Sequence, residues 1–194
     1  MPFGFPPLKQ EEFNTVAGWL SQGAPGPTPR QQEALEAVPD KDQMMVQKWE
    51  TVLNMSEPKY QMTARYLYEH LFLAHITFET GSNEFYEIVR SRTKPGSDID
   101  IIATVRPYDD PETEEFYYRF RKIYSTIVYK THMVFSMGED QYKRTHELFL
   151  KPVWMTTPHL VGYDSKMSAN PFETFEQIPA RSRYQWLLDN ARYI

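Results

Sequence analysis

Proline placement constrains this chain more than any other feature. Pro25, Pro27, Pro29, Pro39 and Pro58 punctuate its first half. A proline inside a helix removes one backbone hydrogen bond and clashes with the preceding turn, so helices are confined to the intervals between prolines. Over 8–22, Phe13, Val16, Ala17 and Leu20 recur at i, i+3, i+4 and i+7, which draws one apolar stripe. Glu11 and Glu12 sit in its first turn, where negative charge suits the helix dipole. Gly23 supplies a left-handed cap and Pro25 blocks continuation. The stretch APGPTP at 24–29 reads as a linker. A second helix, 28–37, opens on Thr28-Pro29-Arg30-Gln31, an N-cap with proline at the first helical position and a capping-box glutamine. A third, 40–55, turns Val46, Trp49, Val52 and Leu53 inward. A fourth, 59–78, carries a stripe of Tyr60, Ala64, Leu67, Leu71, Ala74 and Phe78.

The pattern changes after Gly81. FYEIVRS (85–91) and IDIIATVR (99–106) alternate with period two and are rich in β-branched residues, so both predict strands. FYYRFRKI (116–123) and TIVYKTHMVF (126–135) continue the β character. Helices are expected again at 139–150 and 180–193, separated by a loop holding Pro152, Pro158, Pro171 and Pro179. The fold class that results is α+β, predominantly helical with a small, mostly antiparallel sheet.

Composition removes several functions. The net charge is −5 and no run of Lys or Arg exists, which disfavours nucleic acid, because phosphate neutralisation needs a basic surface. No nucleotide cofactor is expected either: KPGSD (94–98) has one glycine and no following Lys-Ser/Thr. Ser136 in VFSMG lacks the first glycine of a nucleophile elbow. No apolar run approaches a membrane span. Cysteine is absent, so these residues hold no disulfide, thiolate metal site or cysteine nucleophile. The 13 Tyr, 12 Phe and 4 Trp serve either an aromatic core or a surface for an amphiphile.

Candidate chemistry falls in three places. His70 and His75 lie five residues apart, about 140° around a helix, which is the wrong spacing for a shared metal; no metal site is expected. They remain candidates for acid–base work, and a hydrogen-bonded core role is the competing reading. Tyr108, Asp109 and Asp110 share the loop RPYDDPETEE and are further catalytic candidates. Those aspartates, with Asp98 and Asp100, equally suit turn capping and pairing with arginine. Arg90, Arg92 and Arg106 are candidates for holding a lipid phosphate, since arginine makes bidentate charge-assisted bonds.

The N-terminus adds a different signal. MPFGFPPLKQEEFNTVAGWLSQGAP runs Met-Pro, a proline-rich loop, an amphipathic helix and a Gly-Ala-Pro stop. That order resembles the C-terminal tail of a c-type cytochrome domain, where a methionine thioether is an axial haem ligand. Together with ARYLYEHLFLAHITF, YEIVRSRTKPGSDIDIIATVRPYDDP and NPFETFEQIPARSRYQWLLDNA, the chain resembles the bacterial fatty acid cis/trans isomerase family over nearly its whole length.

The resemblance implies two parts: 1–25 as the tail of a cytochrome c-like domain, and 26–194 as an α+β domain continuing further. Family members are periplasmic and carry a C-x-x-C-H haem motif near their N-terminus. The implied reaction converts cis double bonds in acyl chains of membrane phospholipids to trans, as an adaptation to membrane stress, with peripheral contact at the membrane surface. It implies haem c in the complete protein and none in this segment alone. Met1 is then the axial ligand, and Phe3 and Phe5 flank the iron side, where they contact the alkene or pack against the porphyrin edge. The segment by itself is expected to be inactive. The alternative is a haem-free periplasmic domain that binds lipid or protein without turnover.

Overall fold

The structure is a computed structural model and describes residues 7–124, 134–163 and 168–192. The chain forms two compact units, Met1–Ala37 and Val38–Ile194. In the first, α1 (Gln10–Ser21) and α2 (Pro29–Glu36) end where glycine and proline require. Gly23 takes a φ of 85°, the left-handed conformation that ends α1. Trp19 Nε1 donates to the Pro25 carbonyl at 3.0 Å and ties the linker back to the helix. The Thr28–Gln31 capping box forms as the sequence predicts. The apolar stripe of α1 is not buried: Phe13, Val16, Ala17 and Leu20 all stay exposed.

The second unit is α+β. Helices α3 (Asp40–Leu53) and α4 (Pro58–Leu71) lie against a four-stranded sheet of β1 (His75–Thr77), β2 (Phe85–Ser91), β3 (Tyr117–Ile123) and β4 (Val134–Ser136). The sheet order is β3-β2-β1-β4. The first two pairings are antiparallel and β1–β4 is parallel, so the sheet is mostly antiparallel as expected. Helix α5 (Glu139–Thr145) runs into a π-helical turn, His146–Leu150, where the Lys151 amide donates to the His146 carbonyl at 2.8 Å. A short α6 (Pro171–Thr174) and α7 (Ala180–Asn190) complete the unit.

Alternation along β2 decides what faces the helices. Tyr86, Ile88 and Arg90 share one face, opposite Lys122, Phe120 and Tyr118 of β3. The free edge of β3 is covered by α3. Asn54 accepts from the Tyr118 amide at 2.8 Å and Glu50 accepts from the Phe120 amide at 3.0 Å. Side chains thus satisfy edge donors that a bare strand would present to other chains. The aromatic residues serve the core: Trp49, Tyr66, Tyr86, Phe120, Phe149 and Trp186 are fully buried.

Two expectations are corrected. The fourth helix stops at Leu71 rather than 78, and His75–Thr77 becomes a strand. Its pairing with both β2 and β4 buries Ile76 completely, which outweighs continuation of the helix. The segment 99–106 is not a strand. Only Ile101 bridges Ser91, with the Ile102 amide donating to Arg90 and the Arg92 amide to Asp100. The backbone then leaves the sheet, and Thr104 turns to Arg90 and the Arg106 carbonyl. Of the strand expected at 126–135, the described part is Val134–Phe135 within β4; the remainder lies outside the described residues.

Candidate functional site

The sequence candidates separate into distinct environments. Met1, Phe3 and Phe5 lie outside the described residues. His70 closes α4 with Nδ1 at 2.8 Å from the Tyr66 carbonyl. Its ring packs on Tyr66, Trp186 and Phe175. His75 is half-buried in β1, its ring 6.4 Å from that of Phe85, so the two histidines share no helix. Arg106, Tyr108, Asp109 and Asp110 form a surface turn: Asp109 accepts from the Arg106 amide and Asp110 from the Glu112 amide, both at 2.8 Å. Arg92 pairs with Asp100 at 3.5 Å in the open. Arg90, by contrast, is fully buried. The turn-capping reading of these aspartates matches their contacts.

Burial lowers the His70 pKa, with the Tyr66 hydrogen bond opposing it. The folded value lies below the unfolded one of about 6.5, so on acidification the unfolded chain takes up the proton first. The stability contributed by neutral His70 is complete above about pH 6.5 and is lost as pH falls through the folded pKa. The variant His70→Gln is expected to flatten the fall of Tm from about pH 7 to about pH 5. Some slope will remain from His146, which burial lowers in the same direction. Tm measured against pH for both proteins checks this; parallel curves would contradict it.

The second unit contains a half-open cavity of about 520 Å3 between α3, α4, the start of β3 and the 160–163 and 174–175 segments. This lies within the range of small-ligand sites. Leu53, Met55, Met62, Leu160, Val161 and Phe175 make its walls apolar. Arg65 and the phenols of Tyr118 and Tyr163 bring polarity to one side. The Arg65 guanidinium stacks over the Tyr163 ring at 4.0 Å, and its Nε donates to Glu69 at 2.7 Å. Its Nη1 donates to the Val161 carbonyl. Behind it, Arg90 Nη2 donates to Thr104 Oγ1 at 2.9 Å.

Burial determines what these groups can do. It raises the Tyr118 pKa well above the ordinary phenol value, and the hydroxyl of Tyr163 adds to the effect. It raises Tyr68 as well, against the opposing charge of Arg90. Both phenols therefore stay protonated near neutral pH and act as hydrogen-bonding groups rather than bases. Burial also raises the Glu69 pKa, with Arg65 opposing. The site offers an apolar trough lined by one buried guanidinium, Arg65, and by the exposed carboxylates of Glu114 and Glu115. Among the described residues, no three His, Asp or Glu side chains gather as a metal-ligand set.

The sequence singled out Arg90 but missed Arg65, Glu69, Tyr68, Tyr118 and Tyr163. Arg65 and Glu69 stand at i and i+4, which reads as a surface ion pair. Both side chains are in fact only 8% exposed. A signal was present in the run RYLYEH, where two tyrosines lie between Arg65 and Glu69, but only the packing shows that 62–68 is buried on all sides.

The family model for fatty acid cis/trans isomerase (CTI) matches residues 1–194. No curated protein and no solved structure matches the chain.

Proposed function

The chain belongs to the fatty acid cis/trans isomerase family, and from that premise we propose that its second unit holds the cis-unsaturated acyl chain of a membrane phospholipid in the cavity beside Arg65. The family implies cis–trans isomerase activity on fatty acids. The observation that carries the proposal is the apolar, half-open cavity of about 520 Å3. Rotation about the alkene axis swings one arm of the chain, so an enclosed tunnel would resist the product geometry and an open-sided trough tolerates both isomers. The exposed side chains of Val153 and Met155 support an approach to lipid. They stand 94% and 101% exposed on the loop that continues to Leu160 and Val161 in the cavity wall. No described helix is long and apolar enough to cross a membrane, which is compatible with peripheral contact.

Haem c is proposed for the complete protein, in the periplasm. The described residues do not fit that group. Covalent attachment needs paired cysteines, and the 194 residues contain none. His70 is enclosed by Tyr66, Phe175 and Trp186 with Nδ1 already bonded. In this reading the haem is held by protein outside these residues, and the unit described here supplies binding, orientation and exclusion of water. The same cavity also suits the second reading, an acyl-lipid binding domain without turnover.

The test uses a complete protein containing this segment, produced in a host without the activity. The trans-to-cis ratio of its phospholipid acyl chains is expected to rise. Leu160→Trp, which fills the cavity mouth from a position 39% exposed, is expected to lower that rise about tenfold, a barrier change near 1.4 kcal/mol. Its Tm should stay within a few degrees of the parent, as for a surface substitution. An unchanged ratio with the parent protein would sink the isomerase reading and leave lipid binding. Full activity in Leu160→Trp would place the substrate elsewhere. A purified complete protein without haem absorption would remove the cofactor proposal.

A further inference from the structure

Arg90 occupies a core position on β2, on the same face as the apolar Ile88. It is 0% exposed, and its Nε and Nη1 have no hydrogen-bond acceptor. Its guanidinium faces the rings of Tyr68, Tyr163 and Phe116 at 5.4, 5.4 and 5.8 Å. Among the described residues no carboxylate forms an ion pair with it. Arg65, 6% exposed, spends its Nε on Glu69 but leaves Nη2 without a partner. Two guanidinium groups thus share one carboxylate in a buried setting. A guanidinium cannot discharge itself by losing its proton. Cation–π contacts offset only part of what burying a charge without a hydrogen-bonded counter-charge costs. Among the described residues, the cluster is short of one negative charge and of acceptors at three guanidinium nitrogens.

Arg65 lines the apolar cavity, and both guanidinium groups face the single ring of Tyr163, at 4.0 and 5.4 Å. We propose that Arg65 and Arg90 form an oxyanion subsite beside the cavity, which takes the carboxylate or phosphate at the head of an acyl ligand. Arg65 is the contact residue; its Nη2 is sealed from solvent in the structure, so an anion meets it as the side chain turns toward the cavity. Arg90 is a positioning residue whose charge, uncompensated among the described residues, lies 5.4 Å from the Tyr163 ring. An acyl ligand is thereby anchored at one end, and the distance from that anchor selects which carbons lie along the apolar wall. The inference deepens the acyl-cavity reading and rests on it.

Binding to the full chain of 194 residues tests it. The probes are palmitoleate, its methyl ester and palmitoleoyl lysophosphatidate, followed by calorimetry and thermal shift. The two anionic probes are expected to bind about tenfold more tightly than the methyl ester, the worth of one charge-assisted hydrogen bond. The tighter of the two identifies the anion as carboxylate or phosphate. Arg65→Gln should abolish that advantage, read as the ratio of acid to ester affinity on the same variant. The double variant R65Q/E69Q leaves no unpaired carboxylate and gives the same answer if the single variant folds poorly. The comparison of acid with ester on the parent protein needs no variant at all. Equal affinity for acid and ester would overturn the subsite while leaving the acyl cavity intact. If none of the three long-chain probes binds, the cavity reading fails, and butyrate decides the subsite alone. Stabilisation by butyrate that Arg65→Gln removes sustains the subsite, and no stabilisation overturns it.

Discussion

Replacing Trp49 by alanine is expected to cost about 5 kcal/mol of folding stability. Trp49 is fully buried on α3, and its ring meets Tyr142 edge-on at 5.2 Å. Truncating a buried tryptophan removes about 3–5 kcal/mol through lost transfer energy and the cavity left behind. A second loss adds to this. Trp49 Nε1 donates to the Met137 carbonyl at 2.6 Å, just past the end of β4. Without the indole that carbonyl loses a buried donor, at about 1–3 kcal/mol. The total is comparable to the whole stability of a marginal domain, about 5–15 kcal/mol. Thermal unfolding should shift down by roughly 10–20 °C. Trp49→Phe keeps a ring in the core and deletes the donor, so it should fall between the parent and Trp49→Ala. Urea midpoints for the three proteins check the ordering. A loss below about 2 kcal/mol in Trp49→Ala would mean that the surrounding rings collapse into the space.

The second large effect is Glu50→Ala, expected to cost about 3–5 kcal/mol, the usual consequence of breaking a buried ion pair. One oxygen of Glu50 accepts both from Arg119 Nε and from the Phe120 amide, each at 3.0 Å. Both side chains of the pair are under a tenth exposed. Removing the carboxylate leaves a buried guanidinium and an edge amide without their acceptor. The damage should spread locally, because Arg119 also organises the turn after β2. Its Nη1 donates to the carbonyls of Thr93 and Lys94, and its Nη2 to that of Ser97. Glu50→Gln retains an acceptor and loses the charge, so a smaller cost is expected. Hydrogen exchange at the Phe120 amide separates the two effects: it should accelerate strongly in Glu50→Ala and modestly in Glu50→Gln. Protection unchanged in both would show that the edge of β3 is held by Asn54 alone.

These two side chains show why a mainly local reading reached so far and then stopped. The inward face of α3 is written in its spacing, and Trp49 lies on it. The residues that close on it from β4 and α5 are about 90 positions away, and nothing in the spacing of α3 announces them. The same holds at the cavity. Arg90 stands out in the sequence as a charge on a strand, but its burial follows from packing under Tyr68, Phe116 and Tyr163, three segments brought together only by the fold.

What the sequence determined by itself is the set of local boundaries. Proline and glycine end α1, the Thr28–Gln31 box starts α2, Pro58 opens α4, and period-two alternation marks β2 and β3. These are decided by backbone dihedrals and by donors within a few residues, so they are legible without a partner. The tertiary structure alone decided three things. It made His75–Thr77 a strand, because pairing with β2 and β4 buries Ile76. It left 99–106 with a single bridge, because the Thr104 side chain turns to Arg90. It placed Arg65, Glu69 and Arg90 in a buried cluster with, among the described residues, one carboxylate for two guanidinium groups. Burial and charge balance are properties of the assembled surroundings, and a one-dimensional pattern carries them only where the neighbours are local.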